Sequence, residues 1–175
     1  MILTNWHVIT GAPSSGKTTL INKLAQLGYH TSSEVARDCI TKVLARNHTL
    51  EEIEQERLQE NILNTMVERE KNLPIDELIF FDRGLPDSLA YYSYHHLDTT
   101  KVIKACQKFH YKTIFYCHSL PFEQDTVRIE NEAIAQKIGE YIYDAYRQLG
   151  YKLIELPVLS VEKRLEIILS HIEKT

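Results

Sequence analysis

The sequence predicts an α/β fold in which a parallel sheet of about five strands lies between two layers of helices. Short apolar runs of strand length alternate along the 175 residues with longer segments whose apolar side chains recur at helical spacing. The run at 78–81 is apolar throughout, as expected of a strand that helices cover on both faces. A glycine-rich segment at 11–18 joins the first apolar run to the first helical pattern. Together these three observations indicate a three-layer α/β protein.

Each predicted element follows from the local pattern of side chains. Strands are predicted over residues 7–10, 29–31, 78–81, 113–117 and 153–156. Helices are predicted over about 20–27, 34–46 and 49–71, from 86 onward, over 134–149 and from 160 onward. Gly28 and Gly150 are natural C-terminal stops. Thr49 and Glu52 form a capping-box pattern, and Ser160 is a predicted N-cap.

Length, charge and composition favour a single globular domain over a nucleic-acid-binding or membrane-spanning protein. The chain length suits one domain with its own core, so residues 1–175 are predicted to form a single domain. A net charge of −4 and a pI of about 6.1 argue against a nucleic-acid-binding surface. The three cysteines match no metal or redox spacing, and no apolar run has the length of a membrane span. With no signal-peptide pattern before the first strand, we expect a cytoplasmic protein without a membrane partner.

Residues 11–18 carry the clearest chemical signal, because they fit the pattern G-x-x-x-x-G-K-[ST] in full. The glycines let the backbone curl so that successive N–H groups face a phosphate at the N-terminus of the next helix. Lys17 supplies an ammonium for the β and γ phosphates, and the Thr18 hydroxyl is a hard oxygen ligand for Mg²⁺. The motif follows a strand and opens a helix, which is the setting of a P-loop NTPase that binds ATP or GTP with Mg²⁺. The predicted nucleotide-binding residues here are Gly11, Ala12, Pro13, Ser14, Ser15, Gly16, Lys17, Thr18 and Thr19.

Three charged residues follow predicted strands and are candidates for catalysis. Asp82 ends the apolar strand, where an acidic side chain can hold Mg²⁺ through its water shell or can simply form a turn. Arg83 suits a phosphate or a substrate hydroxyl, and a surface ion pair is the alternative. Glu34 follows the second strand as a candidate general base, although Thr31 and Glu34 also fit a capping box. Arg37 lies one turn further on and could pair with Glu34 or with a phosphate.

Arg128 lies in the longest polar stretch, residues 119–131. One interpretation is that this stretch is a lid that brings the Arg128 guanidinium to the transferring phosphate. The alternative is an arginine in a solvated loop. The tyrosines at 91, 92 and 94 have helical spacing, which favours core packing over a base-stacking site.

These segments together resemble a known family, the small P-loop AAA-type domains typified by the nicotinamide riboside kinase domain of NadR. The matching segments are residues 11–20, 33–37, 81–92, 125–130, 149–151 and 157–162. The resemblance implies a kinase-like P-loop fold, with Asp82 and Arg83 as an acidic–arginine pair and Arg128 in a lid. It also implies that Glu34 lies near the general-base position. The segment around Pro157 and Val158 resembles the loop beside the nucleotide base.

The leading functional prediction is Mg²⁺-dependent phosphoryl transfer from ATP to a hydroxyl of a small molecule, such as a nucleoside or a riboside. In this scheme Lys17 and Mg²⁺ neutralise phosphate charge, Glu34 accepts the hydroxyl proton and Arg128 closes over the transferred group. Two alternatives stay open: an ATP or GTP hydrolase, and a binding module switched by nucleotide. The sequence identifies neither the acceptor nor the oligomeric state.

Overall fold

The computed structural model of the protein describes residues 1–45, 54–119 and 132–173. The strands in these ranges are β1 (Ile2–Leu3), β2 (Trp6–Gly11), β3 (His30–Ser32), β4 (Ile79–Asp82), β5 (Phe109–His110), β6 (Thr113–Cys117) and β7 (Leu153–Leu156). The helices are α1 (Lys17–Gln26), α2 (Val35–Leu44), α3 (Gln55–Lys71), α4 (Leu85–Tyr94), α5 (Thr100–Cys106), α6 (Glu132–Gln148) and α7 (Val161–Ile172).

Five of these strands form one parallel sheet in the order β3-β4-β2-β6-β7. The chain fills the β3 and β4 side of β2 first and then crosses to the β6 and β7 side. The carboxyl end of β2 therefore lies where the strand order reverses, and open α/β sheets bind ligands at this point. Strands β1 and β5 pair separately as a two-stranded parallel sheet.

Alternate side chains of β2 enter two separate apolar cores, one on each face of the sheet. Trp6 and Val8 pack with Phe81 in the core beneath α3, α4 and α6. Ile9 packs with Phe80 in the core beneath α1 and α7. All five side chains have 0% exposure, and burying a large apolar side chain contributes about 1.5–3 kcal/mol. The predicted three-layer architecture is confirmed.

Most predicted elements are present, with small shifts. The second strand covers His30–Ser32 rather than 29–31, and the apolar strand covers Ile79–Asp82 rather than 78–81. The alternative capping box of Thr31 and Glu34 is wrong, because Thr31 lies within β3 and α2 begins at Val35. Ser160 caps α7 by accepting a 3.4 Å hydrogen bond from the backbone of Lys163. The Thr49–Glu52 capping box lies outside the described residues.

Strands β1 and β5 and helix α5 were not predicted from the sequence. Strands of two residues carry no periodicity, and α5 has only seven residues. The tyrosine patch packs as predicted: Tyr92 is buried, and Tyr91 and Tyr94 lie against the same core. Across the described part of the chain, no helix combines the length and hydrophobicity needed to cross a membrane.

Glu70 is a buried carboxyl on α3 whose ionisation should affect stability. It is 1% exposed, and the Tyr111 hydroxyl donates a 2.6 Å hydrogen bond to its Oε1. Burial raises the pKa of Glu70 to about 7, although Tyr111 and Arg69 act in the opposite direction. Because the pKa is higher in the folded protein than in the unfolded chain, this group stabilises the fold at low pH. That contribution is lost as the pH rises from about 4.5 toward about 7.

Glu70→Gln should therefore stabilise the protein more at pH 8 than at pH 5. The amide oxygen can still accept from Tyr111, and no buried carboxylate has to form. We expect the variant's unfolding free energy, relative to wild type, to increase by about 2 kcal/mol between pH 5 and pH 8. Urea unfolding at the two pH values measures this difference. If the unfolding free energies of the two proteins differ by the same amount at pH 5 and pH 8, the pKa of Glu70 is not raised.

Candidate active site

The loop between β2 and α1 has an unusual backbone that its glycines permit. Gly11 has φ 138°, Ser14 has φ 58° and Gly16 has φ 83°. Gly16 is also the N-cap of α1, and no side chain caps this helix. The first N–H groups of a helix carry partial positive charge and bind phosphates. The loop thus has the geometry that phosphate binding requires.

Gly11 also has no room for a side chain. A β-carbon there would lie 2.3 Å from the carbonyl oxygen of Cys117 on β6. We expect Gly11→Ala to lower the unfolding free energy by about 3 kcal/mol or more, because strain and a backbone clash coincide. Gly28→Ala is the matched control, since Gly28 has φ 92° but a β-carbon added there would meet no atom within 4 Å. Gly28→Ala should lower the unfolding free energy by only about 1–2 kcal/mol. If denaturant melts give the same loss of unfolding free energy for both variants, the proposed clash at Gly11 is wrong.

The Lys17 ammonium lies inside the curl of the loop. The side chain is 4% exposed, and Nζ donates to the Ala12 carbonyl at 2.6 Å and to Ser15 Oγ at 3.2 Å. Helix α1 begins at Lys17, so the ammonium and the helix N-terminus present positive charge on the same side. This arrangement favours a polyanion over a neutral ligand.

Thr18 and Asp82 meet across the carboxyl edge of the sheet. The Thr18 hydroxyl donates a 2.9 Å hydrogen bond to Asp82 Oδ2. Asp82 Oδ1 is buried and has no hydrogen-bond partner among the described residues. Burial and the nearby Glu34 charge raise the pKa of Asp82, while Lys17 and Arg83 oppose them. A buried carboxylate oxygen without a donor suits a hard cation, so these two side chains fit Mg²⁺.

A complete protein cage for a metal is not needed at such a site. Over residues 1–45, 54–119 and 132–173, no group of three or more His, Cys, Asp or Glu side chains could hold a metal ion. Mg²⁺ bound with a nucleotide takes most of its ligands from phosphate oxygens and water, and few from the protein. One carboxylate and one hydroxyl are therefore a sufficient set.

Arg83 is a buried residue, so the alternative of a surface ion pair is wrong. It is 3% exposed and has φ 70°. Its Nε donates to Glu34 Oε1 at 2.8 Å, and its Nη1 donates to Asp87 Oδ1 at 2.9 Å. Although burial favours the neutral form, Tyr91, Glu34 and Asp87 raise the pKa of Arg83 above its ordinary value. The guanidinium is therefore fixed between two carboxylates.

Glu34 comes from a different part of the chain and joins this cluster. It is 6% exposed and lies immediately before α2, close to the carboxyl end of β3. Besides the Arg83 bond, its Oε2 lies 3.9 Å from Arg37 Nε. The sheet thus brings Glu34 and Arg83 together although 49 residues separate them.

Asp87 holds Arg83 in place, and no individual role was predicted for it from the sequence. Its Oδ1 accepts from Thr10 Oγ1 at 2.7 Å as well as from Arg83. Its Oδ2 accepts from Tyr146 at 2.7 Å and from the backbone N–H of Gly84 at 3.0 Å. Four donors satisfy one buried carboxylate, which fixes the start of α4 to β2 and α6. An Asp three residues after Gly84, the N-cap of α4, was the available signal.

Arg164 on α7 is a second residue whose role was not predicted from the sequence. It is 2% exposed and donates to the carbonyls of Ser15, Pro157 and His118 at 2.7, 2.8 and 3.2 Å. One guanidinium therefore connects the P-loop, the segment after β7 and the end of β6. An arginine on the apolar stripe of α7, four residues before the buried Ile168, was the signal for it.

A cleft of about 490 Å³ opens beside the P-loop. It is lined by Pro13, His118, Ser119, Glu132, Ala135, Gln136, Pro157 and Val158. Pro157 and Val158 thus line the same cleft as Pro13 of the P-loop. The resemblance described above implies that these two residues lie beside the nucleotide base. Arg128, the predicted lid residue, lies outside the described residues.

The family follows from a match between residues 6–164 and the family model described as AAA domain. The chain belongs to the AAA domain family. This match covers most of the sequence and confirms the predicted P-loop AAA-type relationship. No curated protein sequence matches the chain significantly.

Solved structures share the fold of this AAA domain at low identity. The NadR protein in complex with NR aligns with a TM-score of 0.73 at 17% identity, over 95% of this chain and 49% of NadR. The chain therefore spans about half of NadR. Thymidylate kinase from Ehrlichia chaffeensis aligns at 0.70 with 11% identity, over 96% and 97% of the two chains. Deoxyadenosine kinase from M. mycoides, with dCMP and dCDP, aligns at 0.63 with 17% identity, over 97% and 98%.

Proposed function

We propose that this AAA domain is a Mg²⁺-dependent phosphotransferase that moves the γ-phosphoryl group of ATP or GTP to a hydroxyl of a small molecule. The observation that carries the proposal is the buried Glu34–Arg83–Asp87 cluster beside Lys17, Thr18 and Asp82. A P-loop alone does not distinguish a kinase from a hydrolase or from a nucleotide-binding module. A buried carboxylate, held by arginine at the same sheet edge, supports chemistry on a second molecule.

The donor half of the reaction uses the P-loop. The N–H groups at the start of α1 and the Lys17 ammonium bind the phosphates and offset charge that moves toward the leaving diphosphate. Thr18 and Asp82 would hold Mg²⁺, and a cation held there would neutralise part of the phosphate charge. Arg128, in the polar stretch 119–131, is proposed as the lid residue that closes over the transferred group.

The acceptor half uses Glu34. Its carboxylate takes the proton of the acceptor hydroxyl while the new O–Pγ bond forms. The bond between Pγ and the β,γ-bridging oxygen breaks, and the nucleoside diphosphate leaves with that oxygen. Arg83 orients the carboxylate through its Nε bond, and Asp87 in turn fixes Arg83. Neither Arg83 nor Asp87 needs to change protonation during the reaction.

The base of the nucleotide is proposed to occupy the cleft between Pro13 and Pro157. Arg164 restrains the separation of the P-loop and the segment after β7, because it donates to the carbonyls of Ser15 in the loop and of Pro157. The NadR complex with NAD and AMP-PNP and the kinase complex with dCMP and dCDP support a nucleotide donor and a small-molecule acceptor.

Transfer of a labelled γ-phosphate tests the proposal. The protein is incubated with Mg²⁺ and γ-labelled ATP or GTP, together with candidate acceptors, and the products are separated by chromatography. We expect the label in an organic phosphate and not in inorganic phosphate. Label found only in inorganic phosphate would indicate a hydrolase, and no loss of label would indicate a nucleotide-binding module.

A further inference from the structure

Two arginines that bond the Ser33–Glu34 segment have nitrogens that the described part of the fold does not satisfy. Arg83 Nη2 and Arg69 Nε and Nη2 are buried and have no hydrogen-bond partner among the residues that the structure describes. Buried guanidinium nitrogens normally bind a carbonyl, a carboxylate or a ligand. Arg83 bonds the proposed base itself, and Arg69 bonds the residue before it, so both sets of unsatisfied donors lie near Glu34.

Arg69 is oriented by contacts that use only part of its guanidinium. Its Nη1 donates a 3.0 Å hydrogen bond to the carbonyl of Ser33, the residue before Glu34. Its Cζ lies 4.9 Å from the centre of the Phe81 ring. The remaining edge, formed by Nε and Nη2, is the edge that pairs side-on with a carboxylate or a phosphate.

No nearby carboxylate in the described ranges pairs fully with this edge. The closest ion pair places Arg69 Nη2 3.8 Å from Glu70 Oε1, which already accepts a hydrogen bond from Tyr111. Burial raises the pKa of Glu70 to about 7, so its charge is only partly available near neutral pH. The Arg69 side chain as a whole is 16% exposed, against 4% for Arg83, so Arg69 lies nearer the surface although its Nε and Nη2 atoms are themselves buried.

We propose that the acceptor carries an anionic group, a phosphate or a carboxylate, in addition to its reactive hydroxyl, and that the Nε–Nη2 edge of Arg69 binds it. This inference rests on the proposed function. Arg69 is bonded to the carbonyl of Ser33, the residue before the proposed base, so the proposal places the anionic group at Arg69 and the reactive hydroxyl of the same molecule at Glu34. Arg69 is a binding residue here and takes no part in proton transfer.

Equilibrium binding tests the anionic subsite independently of turnover. Isothermal calorimetry with the protein saturated in Mg²⁺ and a non-hydrolysable ATP analogue compares three matched sets of probes. These are ribose with ribose 5-phosphate, glycerol with glycerol 3-phosphate and glycerate, and nucleosides with their 3′- and 5′-monophosphates. We expect the anionic member of at least one set to bind about 10- to 100-fold more tightly. The phosphate and carboxylate members distinguish the two kinds of anion.

The variants Arg69→Gln and Arg69→Lys separate ligand binding from a structural role. Gln should remove the preference for the anionic probe and leave affinity for the ATP analogue unchanged. Lys keeps the charge but lacks the side-on edge, so it should restore only part of the preference. Arg57→Gln, at an exposed arginine on the same helix, is the control. Equal binding of neutral and anionic probes by the wild type would overturn the inference.

Two further outcomes are informative. A preference that survives in a folded Arg69→Gln protein would also overturn the inference, because the anion would then bind elsewhere. Tight, Arg69-dependent binding of an anionic probe without phosphoryl transfer would support the subsite and contradict the proposed function. The two proposals therefore fail in different experiments.

Discussion

Lys17→Ala should weaken binding of Mg-ATP or Mg-GTP by about 10- to 100-fold, because the phosphates lose charge-assisted hydrogen bonds to a buried ammonium. The loss should be larger for the triphosphate than for the monophosphate, since we propose that the ammonium binds the β and γ phosphates. Fluorescence titration with a labelled nucleotide measures both affinities.

The control is Lys23→Ala, which removes an exposed lysine from the same helix and has the same effect on net charge. It should bind nucleotide as the wild type does. Thermal melts of both variants separate lost binding from lost folding, because Lys17 also bonds the Ala12 carbonyl within the loop. Unchanged affinity in a folded Lys17→Ala protein would refute the P-loop assignment.

Glu34→Gln should slow phosphoryl transfer by about 10²- to 10⁴-fold while nucleotide affinity stays the same. The amide oxygen of glutamine can still accept from Arg83 Nε, so the geometry of the cluster is kept and only the proton acceptor is lost. Steady-state kinetics should show a lower kcat with little change in the KM for nucleotide.

Glu166→Gln on the exposed side of α7 is the matched control and should not alter kcat. A purely structural role for Glu34 predicts a different pattern. In that case Glu34→Gln would lower stability and weaken nucleotide binding together, because a neutral amide holds the buried Arg83 guanidinium less strongly than a carboxylate does. A folded Glu34→Gln protein with the wild-type rate would remove Glu34 from the mechanism.

The parts of the site that depend on local sequence were predictable. Gly11 to Thr18 determine the loop through backbone freedom and a helix start, which are properties of adjacent residues. Asp82 could be related to Thr18 because parallel strands place their carboxyl ends on one edge of the sheet. The same reasoning brought Glu34 to that edge.

Other parts depend on pairings that sequence patterns do not encode. Arg164 lies 149 residues from Ser15, and Tyr146 lies 59 residues from Asp87, yet each pair is hydrogen-bonded. Contacts of this kind follow from how the layers pack and leave no periodic signal. From the sequence, a surface ion pair was as plausible for Arg83 as a role in the site. Whether a charged residue is buried depends on its partners, and local patterns do not identify those partners.

Nucleoside diphosphate release from Mg-ATP and Mg-GTP, with and without acceptors, tests the central claim most directly. The acceptors are nucleosides and ribosides, nicotinamide riboside among them, together with phosphorylated and carboxylated counterparts. We expect at least one acceptor to increase release and to be recovered as a phosphorylated product. Binding of nucleotide with release that no acceptor changes would contradict the proposed phosphotransferase and indicate a hydrolase or a nucleotide-switched module.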